Sequence, residues 1–222
     1  METKYAKDDL GYAKDNKEKM PLEYYLDKFK DADPKEISQR LGLAYDEEKQ
    51  SLTLKFMGTT YHITYPDFAI SFDEDGLPFH ILPTNAQAKL VVLIYLMQAQ
   101  AVPAKGEFYA FRDLPSGELY FRQFQGRCIF RMLRKYGKNP EELKKVMEAI
   151  GAAEVTGADY AWDFPLIGEL VIRFMLWEGD EEFPASMQIL YSDNFPAAYG
   201  TYDLAEITES CINTIQTLQK KL

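Results

Sequence analysis

The sequence predicts an α+β fold, in which an antiparallel sheet with a central hairpin packs on a buried helix within a single domain. Residues 170–177 and 187–191 read as two apolar strands joined by an acidic turn, which is the pattern of a hairpin. Residues 90–97 are apolar on every face, as is typical of a helix buried in a core. The predicted strands come in consecutive groups rather than alternating with helices, which argues against a doubly wound parallel sheet.

One α+β domain over residues 20–222 is the predicted organisation, because a chain of 222 residues with 46% hydrophobic residues can bury a sizeable core. Residues 1–19 are rich in Lys, Asp and Glu, so we expect a charged, poorly ordered N-terminal tether there. This stretch lacks the apolar region of a secretory signal, and the longest apolar run is far shorter than the roughly 20 residues that span a bilayer. We therefore expect a cytoplasmic protein that makes no contact with a membrane.

Two short helices are expected at the start of this domain. The first begins at Pro21, and the second is capped by Asp33, has Pro34 in its first turn and ends at Gly42. Apolar side chains recur at helical spacing in the first of them, which gives it one buried face. This stripe consists of Leu22, Tyr25, Leu26 and Phe29.

The period of the hydrophobic pattern changes to two after residue 42, which predicts an antiparallel meander over residues 43–72. The buried helix follows over residues 84–100, and residues 105–121 read as loops and short strands, one of them at 119–121. The other predicted elements are a basic amphipathic helix at 125–136, a helix at 141–150, a strand at 160–164 before the hairpin, and a C-terminal helix at 203–220.

Composition and motifs exclude several classes of function. The net charge of −10 argues against nucleic acid as a partner, because nucleic acid is held mainly by Lys and Arg. Cys128 and Cys211 are the only cysteines, so this chain alone holds no four-cysteine iron–sulfur or zinc site, and the cofactor stays unknown. His62 and His80 are the only histidines, so a cage of two or three histidines is not expected. The chain has no nucleophile elbow, phosphate-binding glycine loop or dinucleotide fingerprint, so no catalytic residue is predicted.

Positive charge is concentrated in residues 105–145, which carry ten basic and five acidic side chains and leave a charge of −15 to the rest of the chain. Arginine binds carboxylate or phosphate with two parallel hydrogen bonds and also stacks on aromatic rings. The arginines here alternate with aromatic residues, so the segment is a candidate wall of an anion-binding site. Its predicted ligand-binding residues are Arg112, Tyr120, Arg122 and Arg127. The alternative is that the same arginines pair with the acidic C-terminal third of the chain.

The acidic turn of the predicted hairpin supplies the other candidate residues, Trp177, Glu178 and Asp180. Carboxylates held close together raise one another's pKa unless a cation lies between them, and metal and acid–base sites exploit that arrangement. Glu178, Asp180 and Glu181 are therefore possible oxygen ligands of a metal ion. Consecutive residues of a turn tend to point apart, however, so the alternative is a solvated hairpin tip that pairs with the arginine segment.

Four stretches of the sequence carry a resemblance to a known family: DPKEI at 33–37, FRDLP at 111–115, GELYF at 117–121 and, most specifically, LWEGDEEFP at 176–184. The chain resembles the domain-of-unknown-function family 3786 from about residue 22 onward. Family members look like proteins of anaerobic bacteria and archaea, some joined to an iron–sulfur segment and some near corrinoid metabolism, so the resemblance implies a redox or tetrapyrrole context. This chain departs from the family pattern at Ala198-Tyr199, where a His-Tyr pair is expected.

Two functional hypotheses follow from these residues. The first is a non-catalytic binding or accessory protein that holds an anionic, partly apolar small molecule between the arginine and aromatic segment and the hairpin. The second is a metal-assisted enzyme that uses the acidic turn, and an interaction protein without any ligand is a further alternative. Nothing in the sequence sets the oligomeric state.

Overall fold

The computed structural model describes the chain over residues 16–222, with side chains from residue 21 onward. Most of the predicted N-terminal tether therefore lies outside the described residues. The helices are α1 (Asn16–Asp31), α2 (Pro34–Leu41), α3 (Ala86–Gln98), α4 (Gly117–Phe124), α5 (Phe130–Tyr136), α6 (Pro140–Ile150) and α7 (Thr201–Gln219). The strands are β1 (Ala44–Asp46), β2 (Ser51–Phe56), β3 (Thr59–Thr64), β4 (Ile70–Phe72), β5 (Phe108–Ala110), β6 (Ala153–Glu154), β7 (Tyr160–Ile167), β8 (Leu170–Trp177) and β9 (Ser186–Ser192).

All nine strands of the described residues join one antiparallel sheet in the order β4-β3-β2-β7-β8-β9-β5, with β1 beside β2 and β6 beside β7. The predicted hairpin is β8–β9, paired from Ile172 opposite Tyr191 to Trp177 opposite Ser186. It is central because β8 has β7 on its other side and β9 has β5. The predicted α+β class, with an antiparallel sheet and a central hairpin, is therefore confirmed.

Burial along β8 alternates from one residue to the next, so the sheet has one covered and one half-exposed face. Ile172, Phe174 and Leu176 point toward the helices and are fully buried. Helix α7 lies over this face, where the Tyr191 hydroxyl is 2.6 Å from the Thr208 hydroxyl. The core of the molecule thus lies between the inner face of the sheet and its covering helices.

Helix α3 is the buried helix that the sequence predicts, since seven consecutive residues from Leu90 to Leu96 are buried. It begins where the Asn85 side chain accepts a hydrogen bond from the Ala88 N–H at 2.9 Å. It packs against α1 and α7. The Tyr199 hydroxyl of the segment before α7 also donates to the Val91 carbonyl at 3.0 Å. No helix of the described residues is both long and apolar enough to cross a membrane.

Two predicted element boundaries are wrong. Helix α1 begins at Asn16 rather than at Pro21, because proline removes only one backbone donor and the preceding turn can still be helical. Residues 119–121 belong to α4 and not to a strand. Three apolar residues are too few to distinguish a period of two from one of 3.6, and Gly117 starts a helix where a Cβ would meet the Phe111 carbonyl oxygen at 1.9 Å.

The predicted basic helix is confirmed, and it continues α4 without a break through a π-helical turn at Gln125–Ile129. The N–H of Phe130 bonds to the Gln125 carbonyl, five residues back, before α5 resumes normal α-helical geometry. Such a turn accommodates one extra residue in a helix and is frequent near functional sites. It positions Arg127 and Arg131 beside α7, where both have hydrogen-bond partners.

Candidate functional site

A groove of about 520 Å³, here called the β9 groove, lies between the arginine segment and the central hairpin. One side is formed by the end of β5, the turn that follows it and helix α4, and the floor is formed by β9. The groove thus lies between the two segments from which the candidate site residues come, although it borders the body of β9 and not the acidic turn. Its lining includes Phe108, Arg112, Asp113, Phe121, Met187 and Leu190.

The groove exists because β5 is shorter than β9. Strand β5 pairs with β9 only from Phe108 opposite Ser192 to Ala110 opposite Leu190. At Phe111 the chain leaves the sheet and forms a single 3₁₀ turn, so on the β5 side no strand of the described residues pairs with residues 186–189 of β9. Helix α4 and the π-helical turn cover this part of the strand instead, and the groove remains between them.

Arg112 lies at the groove with its side chain half exposed, and its guanidinium carbon is 4.0 Å from the centroid of the Phe121 ring. Its Nε is also 4.0 Å from Glu118, which is at the outer limit of an ion pair between exposed groups. The Phe121 ring rests in turn on Phe124, which stacks on Phe111 at 4.2 Å in the core. Arg112 is therefore supported by rings and only weakly neutralised by a carboxylate.

The opposite wall is fixed by a charged pair on the half-exposed face of the sheet. Arg173 of β8 donates to Asp163 of β7 through Nε at 2.6 Å and Nη2 at 2.9 Å. The Arg173 guanidinium lies 3.7 Å from the centroid of the Phe108 ring. Phe108 therefore stacks on a guanidinium that is itself held by two hydrogen bonds, which orients its ring at the groove.

Arg127 and Tyr120 belong to a different contact. Nη1 of Arg127 donates to the Tyr120 hydroxyl at 2.8 Å, and Nη2 donates to Glu206 at 2.6 Å and to Glu209. The bonds to Glu209, Glu206 and Tyr120 raise the pKa of Arg127 against the opposing effect of burial. For Arg127 the structure thus matches the alternative that the arginines pair with the C-terminal third. Arg122 is exposed and has no hydrogen-bond or ion-pair partner among residues 16–222.

The acidic turn is a solvated hairpin tip in which Glu178 and Asp180 are exposed and Trp177 is half-buried. Asp180 accepts hydrogen bonds from the Phe183 N–H at 2.7 Å and the Glu182 N–H at 2.8 Å, and these bonds lower the pKa of Asp180. The Glu178 N–H donates to Asp159 at 2.9 Å. Asp180 is thus used to shape the turn.

The tip and the arginine segment do not meet. Within the described residues, no hydrogen bond or ion pair joins residues 178–182 to residues 105–145. The described residues also contain no group of three or more His, Cys, Asp or Glu side chains placed to hold a metal ion. The hypothesis of a metal-assisted enzyme therefore finds no ligand set there.

A second cavity, which the sequence reasoning missed, lies between the start of α3, α5 and the end of α7, and is here called the α7 pocket. It measures about 320 Å³ and its lining is mainly polar. A signal for it is present in the sequence. Glu206 and Glu209 are followed seven residues later by Asn213 and Gln216, and residues seven apart lie on one face of a helix. The polar lining includes Arg131, Asn213, Gln216, Thr217 and Lys220.

Comparison with known proteins gives one finding. The model of a family described as a domain of unknown function, DUF3786, matches residues 33–214. No curated protein matches the chain, and no solved structure does. The matched range includes the whole of the β9 groove and the two strands of the central hairpin.

Proposed function

This chain belongs to the DUF3786 family, and we propose that it is a non-catalytic binding protein for a small molecule that is anionic and partly apolar. The observation that carries the proposal is the position of Arg112, which lies on the Phe121 ring at the edge of a groove floored by β9. The groove thus combines a weakly neutralised cation with an apolar wall.

The charge of Arg112 supports an anionic ligand. Its side chain is 50% exposed, and its one carboxylate contact is 4.0 Å from an exposed Glu118, so a ligand carboxylate can displace that contact at little cost. The guanidinium plane can then donate two parallel hydrogen bonds to both oxygens of the ligand. Stacking on Phe121 limits the freedom of the long side chain and reduces the entropy lost on binding.

Asp113 limits how much negative charge the ligand carries. It follows Arg112 directly, and both residues line the groove. A polyanion would meet repulsion from Asp113, whereas a ligand with a single carboxylate can approach Arg112 alone. We therefore propose a monocarboxylate as the chemical class.

The remainder of the lining supports an apolar body on that ligand. Phe108, Phe121, Met187 and Leu190 present aromatic and aliphatic surface to the same space. A volume of about 520 Å³ is within the usual range for small-molecule sites, which are mostly apolar with a few polar groups that fix orientation. Aromatic carboxylates of one or two rings match this combination.

The proposal is tested by titration calorimetry and thermal melting of the purified protein with phenylacetate and indole-3-acetate, at constant ionic strength. Saturable binding is expected, about tenfold weaker in Arg112→Gln because one charge-assisted pair is lost, and stronger in Asp113→Asn because a repulsion is removed. Glu178→Gln and Asp180→Asn serve as matched controls, since the hairpin tip has no hydrogen bond to the groove residues. These two variants should bind as the unmodified protein does.

Two results would count against this function. One is the absence of saturable binding by any carboxylate in the series, which would favour the alternative of an interaction protein without a small ligand. The other is equal affinity in Arg112→Gln and in the unmodified protein, which would place any binding away from the groove.

A further inference from the structure

Two arginines one turn apart contact α7 in the same manner but with different partners. Arg127 donates to Glu206 and Glu209, whereas Arg131 donates through Nη2 to Asn213 and Gln216, at 2.7 Å each. Asn213 and Gln216 lie seven residues, or about two helical turns, after the two glutamates. The amides replace carboxylates at equivalent positions of the helix, so α7 neutralises the first arginine and only orients the second.

The positive charge of Arg131 is therefore not matched by a carboxylate in its own contacts. Its Nε and Nη1 have no acceptor among the described residues, although the side chain is only half exposed. Because Asn213 and Gln216 accept through their oxygens, their NH₂ groups remain as donors beside the same guanidinium. A half-buried guanidinium with spare donors is a favourable partner for an anion.

The α7 pocket collects further donors around Arg131 and lacks any carboxylate in its lining. Lys220 adds a second cation, which has no ion-pair partner among the residues that the structure describes, and Thr217 adds a hydroxyl. Nearby, the Lys221 ammonium lies 5.7 Å from the Phe79 ring, which also borders the pocket. In a protein with a net charge of −10, a cavity with two cations and no acid is a marked local exception.

We propose that the α7 pocket binds the phosphate group of a small soluble molecule. Phosphate presents several acceptor oxygens in a tetrahedral arrangement, and it can receive hydrogen bonds from a guanidinium, an ammonium, amides and a hydroxyl together. The main donors are Arg131 and Lys220, with Gln216 holding the guanidinium in place. This site is independent of the β9 groove, since the two share no lining residue.

The experiment rests on the difference between the α7 partners of the two arginines, which are carboxylates at Arg127 and amides at Arg131. Titration with inorganic phosphate is followed by ³¹P NMR and calorimetry at fixed ionic strength, and parallel titrations use sulfate and acetate. Saturable binding of phosphate and sulfate is expected, with acetate at least about tenfold weaker because it offers fewer acceptor oxygens. Equal binding of acetate would overturn the assignment to phosphate.

The decisive variant is Gln216→Glu, which gives Arg131 the carboxylate that Arg127 already has. We expect phosphate affinity to fall about tenfold or more, while the melting temperature stays equal or rises because an ion pair is gained. Asn213→Asp is the second variant with the same expectation, should the first affect folding. Lys220→Met should weaken binding by several-fold without lowering the melting temperature, because Lys220 is exposed.

Glu209→Gln is the matched control, since it makes the reverse change at Arg127. It should lower the melting temperature and leave phosphate affinity unchanged within about twofold. The proposal is overturned if the unmodified protein shows no saturable phosphate binding, or if Gln216→Glu binds phosphate as tightly as the unmodified protein.

Discussion

Arg173 and Asp163 face each other across β8 and β7 and are joined by two hydrogen bonds, at 2.6 and 2.9 Å. Both side chains are about three-quarters shielded from solvent, and the guanidinium also stacks on Phe108. The hydrogen bond to Asp163 raises the pKa of Arg173, although burial alone would lower it. A well-formed ion pair beside the Phe108 ring thus joins β7 to β8 on the half-exposed face of the sheet.

Removing one member of this pair should lower the free energy of unfolding more than removing both. We expect Arg173→Met to lower the free energy of unfolding by about 1.5–3 kcal/mol, because it leaves the Asp163 carboxylate unpaired in a partly shielded place. The double variant Arg173→Met with Asp163→Leu should recover part of this loss. Urea denaturation of the two single variants and the double variant measures the coupling, and strictly additive losses would contradict this account.

Gly168 in the turn between β7 and β8 should not tolerate a side chain. Its φ is +55°, and a Cβ there would lie 2.2 Å from the hydroxyl oxygen of Tyr95 on α3. We expect Gly168→Ala to destabilise the fold by about 2–4 kcal/mol through backbone strain and the clash. Adding Tyr95→Phe removes the clashing oxygen and should restore part of the loss in chemical denaturation. If Tyr95→Phe has the same effect with and without Gly168→Ala, the clash is not the cause.

Asp203 at the start of α7 should make the free energy of unfolding depend on pH. Burial raises its pKa, despite the hydrogen bond that its carboxylate accepts from the Gly200 N–H at 3.0 Å. Since the folded protein then binds the proton more readily, this contribution to stability is fully present below the unfolded pKa of about 3.9 and is lost as pH rises through the folded pKa. Asp203→Asn should therefore be more stable than the unmodified protein at pH 7 but not at pH 3. Urea melts across this range test it, and a difference independent of pH would refute it.

Both cysteines should be unreactive in the folded protein. Burial raises the pKa of Cys128 to about 12 and raises that of Cys211 as well, so neither forms thiolate at neutral pH. Iodoacetamide at pH 8 is expected to modify neither thiol in buffer and both in urea, as read by intact-mass spectrometry. Rapid labelling of Cys128 in buffer would indicate that the π-helical turn opens locally.

Local patterns in the sequence were sufficient where a feature depends on neighbouring residues. The period of two over residues 43–72 predicts strands β2 and β3, and the apolar run of α3 predicts its burial. The caps at Asp33 and Gly42 are correct to the residue, because capping needs only a side-chain acceptor at one end and a positive φ at the other. These elements are set by interactions within a few residues.

Features that depend on distant partners were not predictable in the same way. Arg112 and Arg127 belong to the same arginine and aromatic segment of the sequence, yet one lies on an aromatic ring at a groove and the other pairs with two glutamates of α7. Which arginine meets α7 depends on the rotation of a helix that contains a π-helical turn, and no local pattern encodes that turn. The acidic tip also stays apart from the arginines, because the body of β9 meets them instead.

The π-helical turn also affects how relatives of this chain should be compared. Deleting one residue there, such as the exposed Gly126, would rotate everything after it by about 100° and turn Arg131 away from Asn213 and Gln216. A homologue can therefore keep an arginine in the same alignment column and still lack the α7 pocket. A survey of homologues for this pocket therefore has to compare the number of residues between Phe124 and Phe130 as well as their identity.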